Sequence, residues 1–520
     1  MAAARPPQAS RRTERHGVTA RAPLRAATLS RPIGAEPGGW RDAVPLAAVL
    51  LAIKLAFLLA DPYTRFLFGD SFAYLRTGLL HFVPDDRSWS YGLILEFARR
   101  LFADTRVIVG LNVAAFGLAQ FWLGLALRRL GAHRAVVAAF FAASSLAPSL
   151  LYYERAVLSD TLALAGFIAF LAAAERGLTR GVDGARLVLV AALAFLTVSL
   201  RTAYAPALMV GLPLVLVLDL LLDRRRAPRA GIGRGLALGG AAVVGVAAYA
   251  FVNGAMTGGP ATLNRTGPRF SLGVLAPAVD CPAMQRVDPG FDCDALVRWE
   301  TANLHRRNLN VWAEDRLIAH TRRLGAAQGR DEYGVQSAIL HDLLTRRPLY
   351  VAGVYARTAL LYLDPRAYRD PVVLEHIGSP EFPPGFLDGI VRPKWRTGWE
   401  LDAPSRPSPA RSLVTRWQVL EWPLVLLGVL GVLAAPLVWR RTAALDRLVL
   451  ACTALYLVAL PLFSTEMILR YAMPVTLAGL WLAARAVSAR RVRHRPESSG
   501  ERPGLSARAA PSGTGVAAGG

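Results

Sequence analysis

The stretch Ala43-Val-Pro-Leu-Ala-Ala-Val-Leu-Leu-Ala-Ile-Lys54-Leu-Ala-Phe-Leu-Leu-Ala60 decides how this chain must fold. It is apolar except at Lys54, long enough to cross a hydrocarbon core of roughly 30 Å, and it follows a segment dense in arginine. By the positive-inside rule its start is cytoplasmic and Asp61-Pro62 lies outside. Nine further apolar runs follow at 107–127, 135–151, 162–174, 187–200, 205–222, 235–252, 420–438, 448–463 and 471–484. With that alternation the clusters Arg128-Arg129, Arg176 with Arg180, Arg224-Arg225-Arg226, Arg440-Arg441 and Arg490-Arg491 all fall inside.

The fold class expected is an all-α polytopic membrane protein of about ten transmembrane helices, with both termini cytoplasmic and a mixed extracytoplasmic domain between the seventh and eighth spans. Residues 43–252 form an N-terminal transmembrane module with outer loops at 61–106 and 152–161. Residues 253–417 form the extracytoplasmic domain, and 418–493 a C-terminal transmembrane module. The tails 1–42 and 494–520 are rich in Arg, Pro, Gly and Ser without apolar periodicity, and read as disordered cytoplasmic segments. No cleavable signal peptide is expected ahead of the first span. The apolar run 348–363 is read as a surface or re-entrant helix, because counting it as a span would move Arg440-Arg441 and Arg447 outside. Residues 91–102 read as a short amphipathic helix on the membrane surface.

Composition narrows the function further. The formal charge of +23 sits mostly between apolar runs rather than on one soluble face, which argues against nucleic acid as a partner. Apolar residues make up 53% of the chain, and lysine occurs only at Lys54 and Lys394, a bias that fits a GC-rich bacterial genome. There is no phosphate-binding glycine loop, nucleotide fingerprint or metalloprotease motif, which argues against a nucleotide-driven pump or an enzyme using a nucleotide sugar on the cytosolic side. Nor is there a fixed-period repeat or matched pair of halves of the kind many transporters show.

The first outer loop carries Phe66-Leu-Phe-Gly-Asp70-Ser-Phe-Ala-Tyr74, a carboxylate among aromatics at the mouth of the bundle. Glu154 and Asp160 in Tyr152-Tyr-Glu154-Arg-Ala-Val-Leu-Ser-Asp160, Arg201, and Glu466 with Arg470 fall at the same outer end of other spans. Taken singly, each also fits a capping, snorkelling or structural ion-pair role. Taken together, charges this close to a bilayer point to a site. A sugar transfer there needs both signs: a carboxylate to take the acceptor's proton and cations to neutralise a departing phosphate. Asp70 suits the first task, and Arg201 and Arg470 the second, because guanidinium groups grip phosphate bidentately and stay charged near lipid. Glu154 and Asp160 could orient the acceptor, hold those arginines, or bind a divalent cation, the one cofactor considered. Lys54, inside the first span, contacts a carrier phosphate, snorkels or pairs with a buried acid.

These motifs, in order and on one side, resemble those of the GT-C superfamily of integral-membrane glycosyltransferases. The resemblance rests on the Asp70 loop, Tyr152 to Asp160, Ser199-Leu-Arg201-Thr and Leu469-Arg470-Tyr471-Ala-Met-Pro474, and the architecture covers about residues 40–493. It is nearest the branch with protein O-mannosyltransferases and the lipid A aminoarabinose transferase. It implies an inverting transfer from a polyprenyl-phosphate sugar to a lipid, glycan or protein acceptor on the outer face of the cytoplasmic membrane, with Asp70 as base. Ser71 stands where many members carry a second acid, and 253–417 matches no motif. Three other readings stay open: a lipid-linked sugar transporter or flippase, a polysaccharide polymerase or ligase, and a non-catalytic scaffold. Cys281 and Cys293 suit a disulfide in an oxidising compartment, and their spacing makes zinc the less favoured alternative.

Overall fold

The computed structural model describes residues 39–61, 64–66, 70–85, 87–223, 229–301, 316–368, 385–395, 414, 416–462, 464 and 469–493. Glu466 and the expected tails lie outside these described residues, except that 39–42, expected to be disordered, form the start of the first helix. Among them, eight helices are long and apolar enough to cross a membrane. These are α1 (Gly39–Ala60), α4 (Arg106–Arg129), α7 (Asp160–Arg180), α9 (Ala205–Leu222), α10 (Arg229–Thr257), α17 (Glu421–Val438), α18 (Ala444–Ala459) and α19 (Leu469–Arg493), with α9, α17 and α18 extended by short 3₁₀ turns. Two further apolar helices, α5 (Arg134–Leu146) and α8 (Gly184–Leu200), are shorter. The chain is therefore a multi-pass helical membrane protein, with eight spans supported by length where ten were expected.

Helix α1 shows how the sequence orients each span. Leu46, Leu50 and Lys54, spaced by one turn, are buried, whereas Leu51, Leu55 and Leu59 are exposed on the opposite stripe. Lys54 therefore faces protein and not lipid. The short length of α5 has a local cause. Ala147 precedes Pro148 and takes an extended ψ of 128°, which stops α5 and starts the six-residue α6 (Pro148–Tyr153). A break of this kind leaves N–H groups without helical partners. The Glu421 carboxylate from the first turn of α17 fills that role, accepting from Ser149 N at 3.0 Å and Ser149 Oγ at 2.6 Å, and also from Thr476 of α19. Helices α17 and α19 approach so closely that a Cβ on Gly479 would stand 2.6 Å from the Leu424 carbonyl oxygen.

At one end of the bundle the arginine-rich turns are tied down by acids and carbonyls. Arg447 bonds Asp219 at 2.6 Å, Arg485 reaches Asp446 at 3.2 Å and the Leu130 carbonyl at 2.9 Å, and Trp439 donates to Asp219. The opposite end carries two short helices, α2 (Asp70–Leu80) and α3 (Trp89–Leu101), packed on one another. A Cβ on Gly78 of α2 would come within 2.6 Å of the Gly92 carbonyl of α3, and one on Gly92 would collide with Thr77 Cγ2, so the two helices meet through glycine. In α3, Glu96 pairs with Arg99 and Arg100. Its Leu93, Phe97 and Leu101 are exposed, while Tyr91, Leu95 and Glu96 are buried.

The described part of 253–417 differs from expectation in composition of structure. It holds helices and no strand among the described residues: α11 (Gly267–Leu275), α12 (Cys281–Val287), α13 (Cys293–Thr301), α14 (Leu317–Ala327), α15 (Glu332–Arg346) and α16 (Pro348–Leu361). They enclose their own core of Leu272, Met284, Phe291, Leu317, Ile339 and Leu343. Cys281 and Cys293 are bonded, with Cα atoms 5.4 Å apart. The run expected to lie on the surface or re-enter is α16, too short to span. It is packed against α11 and α15, with Tyr355 donating to the Val458 carbonyl of α18.

Candidate functional site

The site begins with two carboxylates at helix starts. Asp70 is the first residue of α2 and Asp160 the first residue of α7, positions where the helix dipole favours negative charge. Arg201 follows the last residue of α8 in extended conformation, before the Thr202–Tyr204 turn leads into α9. Arg470 lies in the first turn of α19, where the dipole disfavours a cation unless an acid compensates. The compensation comes from Asp70.

Asp70 Oδ2 is ion-paired with Arg470 and Oδ1 with Arg87 of the α2–α3 connection. Asp160 Oδ1 is ion-paired with Arg201, while its Oδ2 is buried without a hydrogen-bond partner among the described residues. Arg201 and Arg470 stack on the same ring, Tyr471, with guanidinium carbons 4.8 and 5.2 Å from its centroid. Three guanidinium groups thus stand beside two carboxylates. Burial alone would raise the Asp70 carboxyl, but Arg470 and Arg87, with Arg201 behind them, outweigh it and hold it at about 2. Tyr74, one turn on, hydrogen-bonds Ser159 Oγ at 3.0 Å. Burial and the fields of Asp70 and Asp160 push its hydroxyl up to about 12, so it stays neutral.

The loop between α6 and α7 aligns these groups. Residues 155–157 pair with Arg65 as a short parallel ladder, Arg65 N to Arg155 O at 2.7 Å and Val157 N to Arg65 O at 2.8 Å. Asn112 of α4 donates to Ala156 O at 3.1 Å and Ser71 Oγ to Val157 O at 3.0 Å. Ser71 therefore ties α2 to the loop that delivers Asp160. A carboxylate at that position would face a carbonyl oxygen, an acceptor meeting an acceptor. Accordingly, Ser71→Asp is expected to lower the yield of monodisperse protein severalfold in detergent gel filtration, and Ser71→Ala to lower it less, since leaving one buried carbonyl unpaired costs about 1–3 kcal/mol. A wild-type yield for Ser71→Asp would refute this role.

Glu154 belongs elsewhere. Its side chain is ion-paired with Lys54 and lies 3.9 Å from Arg155. Arg155 in turn reaches Asp61 at 3.3 Å and donates to the carbonyls of Leu151 and Phe57 at 2.9 Å, and Arg65 bonds Asp61 at 2.7 Å. The sequence grouped Glu154 with the outer site. The structure places it in a separate buried network beneath the loop, with a lysine as partner, so neither acceptor orientation nor a metal follows from its position. Among the described residues no group of three or more His, Cys, Asp and Glu side chains could hold a metal ion.

Four of the five expected site residues, Asp70, Asp160, Arg201 and Arg470, converge. Sequence reasoning missed Arg87, which stands in Asp85-Asp-Arg87 and has no pattern to set it apart from an ordinary loop charge. It also missed the ring of Tyr471 between the two arginines.

What the fold and the site define together is a class: a multi-pass helical membrane protein with an Arg–Asp cluster gathered at one end of its bundle. No protein-family model matches the chain, and no curated protein or solved structure matches it either.

Proposed function

We propose that the chain is a membrane glycosyltransferase of the GT-C type, moving a sugar from a polyprenyl-phosphate donor to a hydroxyl of a lipid, glycan or protein acceptor on the outer face of the cytoplasmic membrane. The observation that carries this reading is the pairing of opposite charges around one ring: Arg201 and Arg470 both on Tyr471, each bound to a carboxylate. Two cations assembled this closely favour an anionic group. The carboxylate beside them suits proton removal.

In the reaction the acceptor oxygen attacks the anomeric carbon from the face opposite the phosphate, inverting it. The acceptor's proton passes to Asp70, the new oxygen–carbon bond forms, and the carbon–oxygen bond to phosphate breaks with its electron pair leaving on the phosphate. Arg201 and Arg470 neutralise that charge. Asp160 holds Arg201, and Tyr74 with Ser159 holds the two acidic helix starts in register.

Purified protein in proteoliposomes with a radiolabelled polyprenyl-phosphate sugar tests the reading. Arg201→Ala and Arg470→Ala are each expected to lower turnover by about 10²–10³-fold, the loss typical of one charge-stabilising group. Thermal stability should change far less. Variants that lose stability and turnover in proportion would make both arginines structural.

One rival has an observation in its favour. A lipid-linked sugar transporter would want polar groups inside the bundle, and the Lys54–Glu154 pair supplies some. That pair is 6% and 2% exposed and locked into protein partners. The enzyme reading is therefore preferred.

A further inference from the structure

Asp70 is poorly placed to act as a base while both of its oxygens carry a guanidinium. Arg87 holds Oδ1 and Arg470 holds Oδ2, leaving the acceptor hydroxyl to compete with two cations for the same carboxylate. A carboxyl held at about 2 is also a feeble proton acceptor near neutrality. The groups facing it come from every side: Arg87 from the α2–α3 connection, Arg470 from α19, Arg201 from the end of α8, Tyr74 from its own helix, and Asp160 beyond Tyr74.

The three arginines are also linked to one another through the fold. Ser90 Oγ, three residues after Arg87, donates to the Ser199 carbonyl at 2.6 Å, and Ser88 bonds the same oxygen. That carbonyl lies two residues before Arg201. The backbone carrying Arg87 is thereby fixed to the end of α8, and Arg470 shares Tyr471 with Arg201. A phosphate at Arg201 is within the company of the other two cations. The donor's diester phosphate spreads one negative charge over two free oxygens, which can accept bidentate charge-assisted hydrogen bonds from guanidinium as a carboxylate does.

We propose that Arg87 and Arg470 form a clamp on Asp70 that a phosphate-bearing lipid opens, so that donor binding frees the base and must precede activation of the acceptor. This rests on the transferase reading and adds to it a role for Arg87 and an order of binding. The proton balance is unchanged: the acceptor's proton goes to the freed Asp70 oxygen, and the charge that leaves on phosphate meets the arginines that have moved to it.

The test is an infrared titration of the full chain in lipid nanodiscs, with the Asp70 carboxyl band isolated as wild type minus Asp70→Asn. Without ligand the band is expected to titrate near 2. Polyprenyl phosphate is expected to raise the midpoint by about 1 to 3 pH units, the reverse of the depression that neighbouring cations cause, whereas the matching polyprenol leaves it in place. An equal rise with inorganic phosphate supports the clamp and assigns the opening to free phosphate. Arg87→Gln is expected to raise the ligand-free midpoint, with Arg87→Lys restoring part of the depression. Two outcomes overturn the proposal in distinguishable ways. Polyprenyl phosphate that binds by calorimetry without moving the midpoint removes the clamp and leaves the transferase reading standing. Polyprenyl phosphate that does not bind removes both.

Discussion

Asp70→Asn is expected to reduce sugar transfer by about 10²–10⁴-fold, the usual contribution of a positioned general base, while the protein still reaches the membrane in near-normal amount. The amide keeps the shape of the carboxyl but accepts no proton from the acceptor. Some stability is lost with the charge, since Asp70, Arg87 and Arg470 are only 14–17% exposed, but the amide oxygen still accepts from a guanidinium, so turnover falls far more than stability. Asp70→Glu, which restores the charge one methylene out of place, should recover part of the turnover. The same pairing sets a pH window. Because folding lowers the Asp70 carboxyl from 3.8 to about 2, its stabilising contribution is complete above 3.8 and fades as pH falls through about 2. Near-wild-type turnover for Asp70→Asn, with normal expression, would remove Asp70 from the chemistry.

The largest effect on folding is expected at Lys54. Lys54→Met leaves Glu154, 2% exposed, without its ammonium partner, and Glu154→Gln leaves Lys54, 6% exposed, without its carboxylate. Breaking one side of a buried pair costs about 3–5 kcal/mol, because the surviving charge stays desolvated. Removing both at once leaves no such charge. The double variant Lys54→Met with Glu154→Gln should therefore melt close to wild type in nanodiscs, well above either single variant. A double variant destabilised by the sum of the two single losses would show that the residues contribute nothing as a pair. Turnover of the double variant adds a separate result: if stability returns without activity, the Lys54–Glu154 pair serves the reaction as well as the fold.

The membrane architecture was legible because apolar periodicity and arginine placement are local properties of the chain. Residues 43–60 read directly as a span, and the start of α7 was placed within two residues, at 162 instead of Asp160. The break at Ala147 could have been read from Pro148 in an apolar run, yet 135–151 passes for one span because the composition does not change across it. Helix α10 runs to Thr257, past the expected boundary at 252, since Asn253 to Thr257 continues the helix until Gly258, whose φ of 65° ends it.

Pairing was the part the sequence withheld. Asp70 finds Arg470 four hundred positions away, and no local pattern distinguishes that arginine from others nearby. Glu154 and Asp160 are six residues apart and look alike in sequence. They serve different networks because Ala156 is bridged to Arg65 between them, with Asp160 paired to Arg201 and Glu154 to Lys54. Ser71 is the clearest case of a residue read as a deficit. In the fold it is a buried donor to Val157 O, the bond that joins the two acidic helix starts.

One measurement bears most closely on whether this cluster transfers sugar from a lipid phosphate: mass spectrometry of the lipid-linked sugars and the envelope glycans of host cells carrying either the wild-type chain or Asp70→Asn at equal expression. A transferase predicts that a polyprenyl-phosphate sugar accumulates in the Asp70→Asn cells while one lipid, glycan or protein loses that same sugar. Identical lipid-linked sugar and glycan pools in the two strains would contradict it.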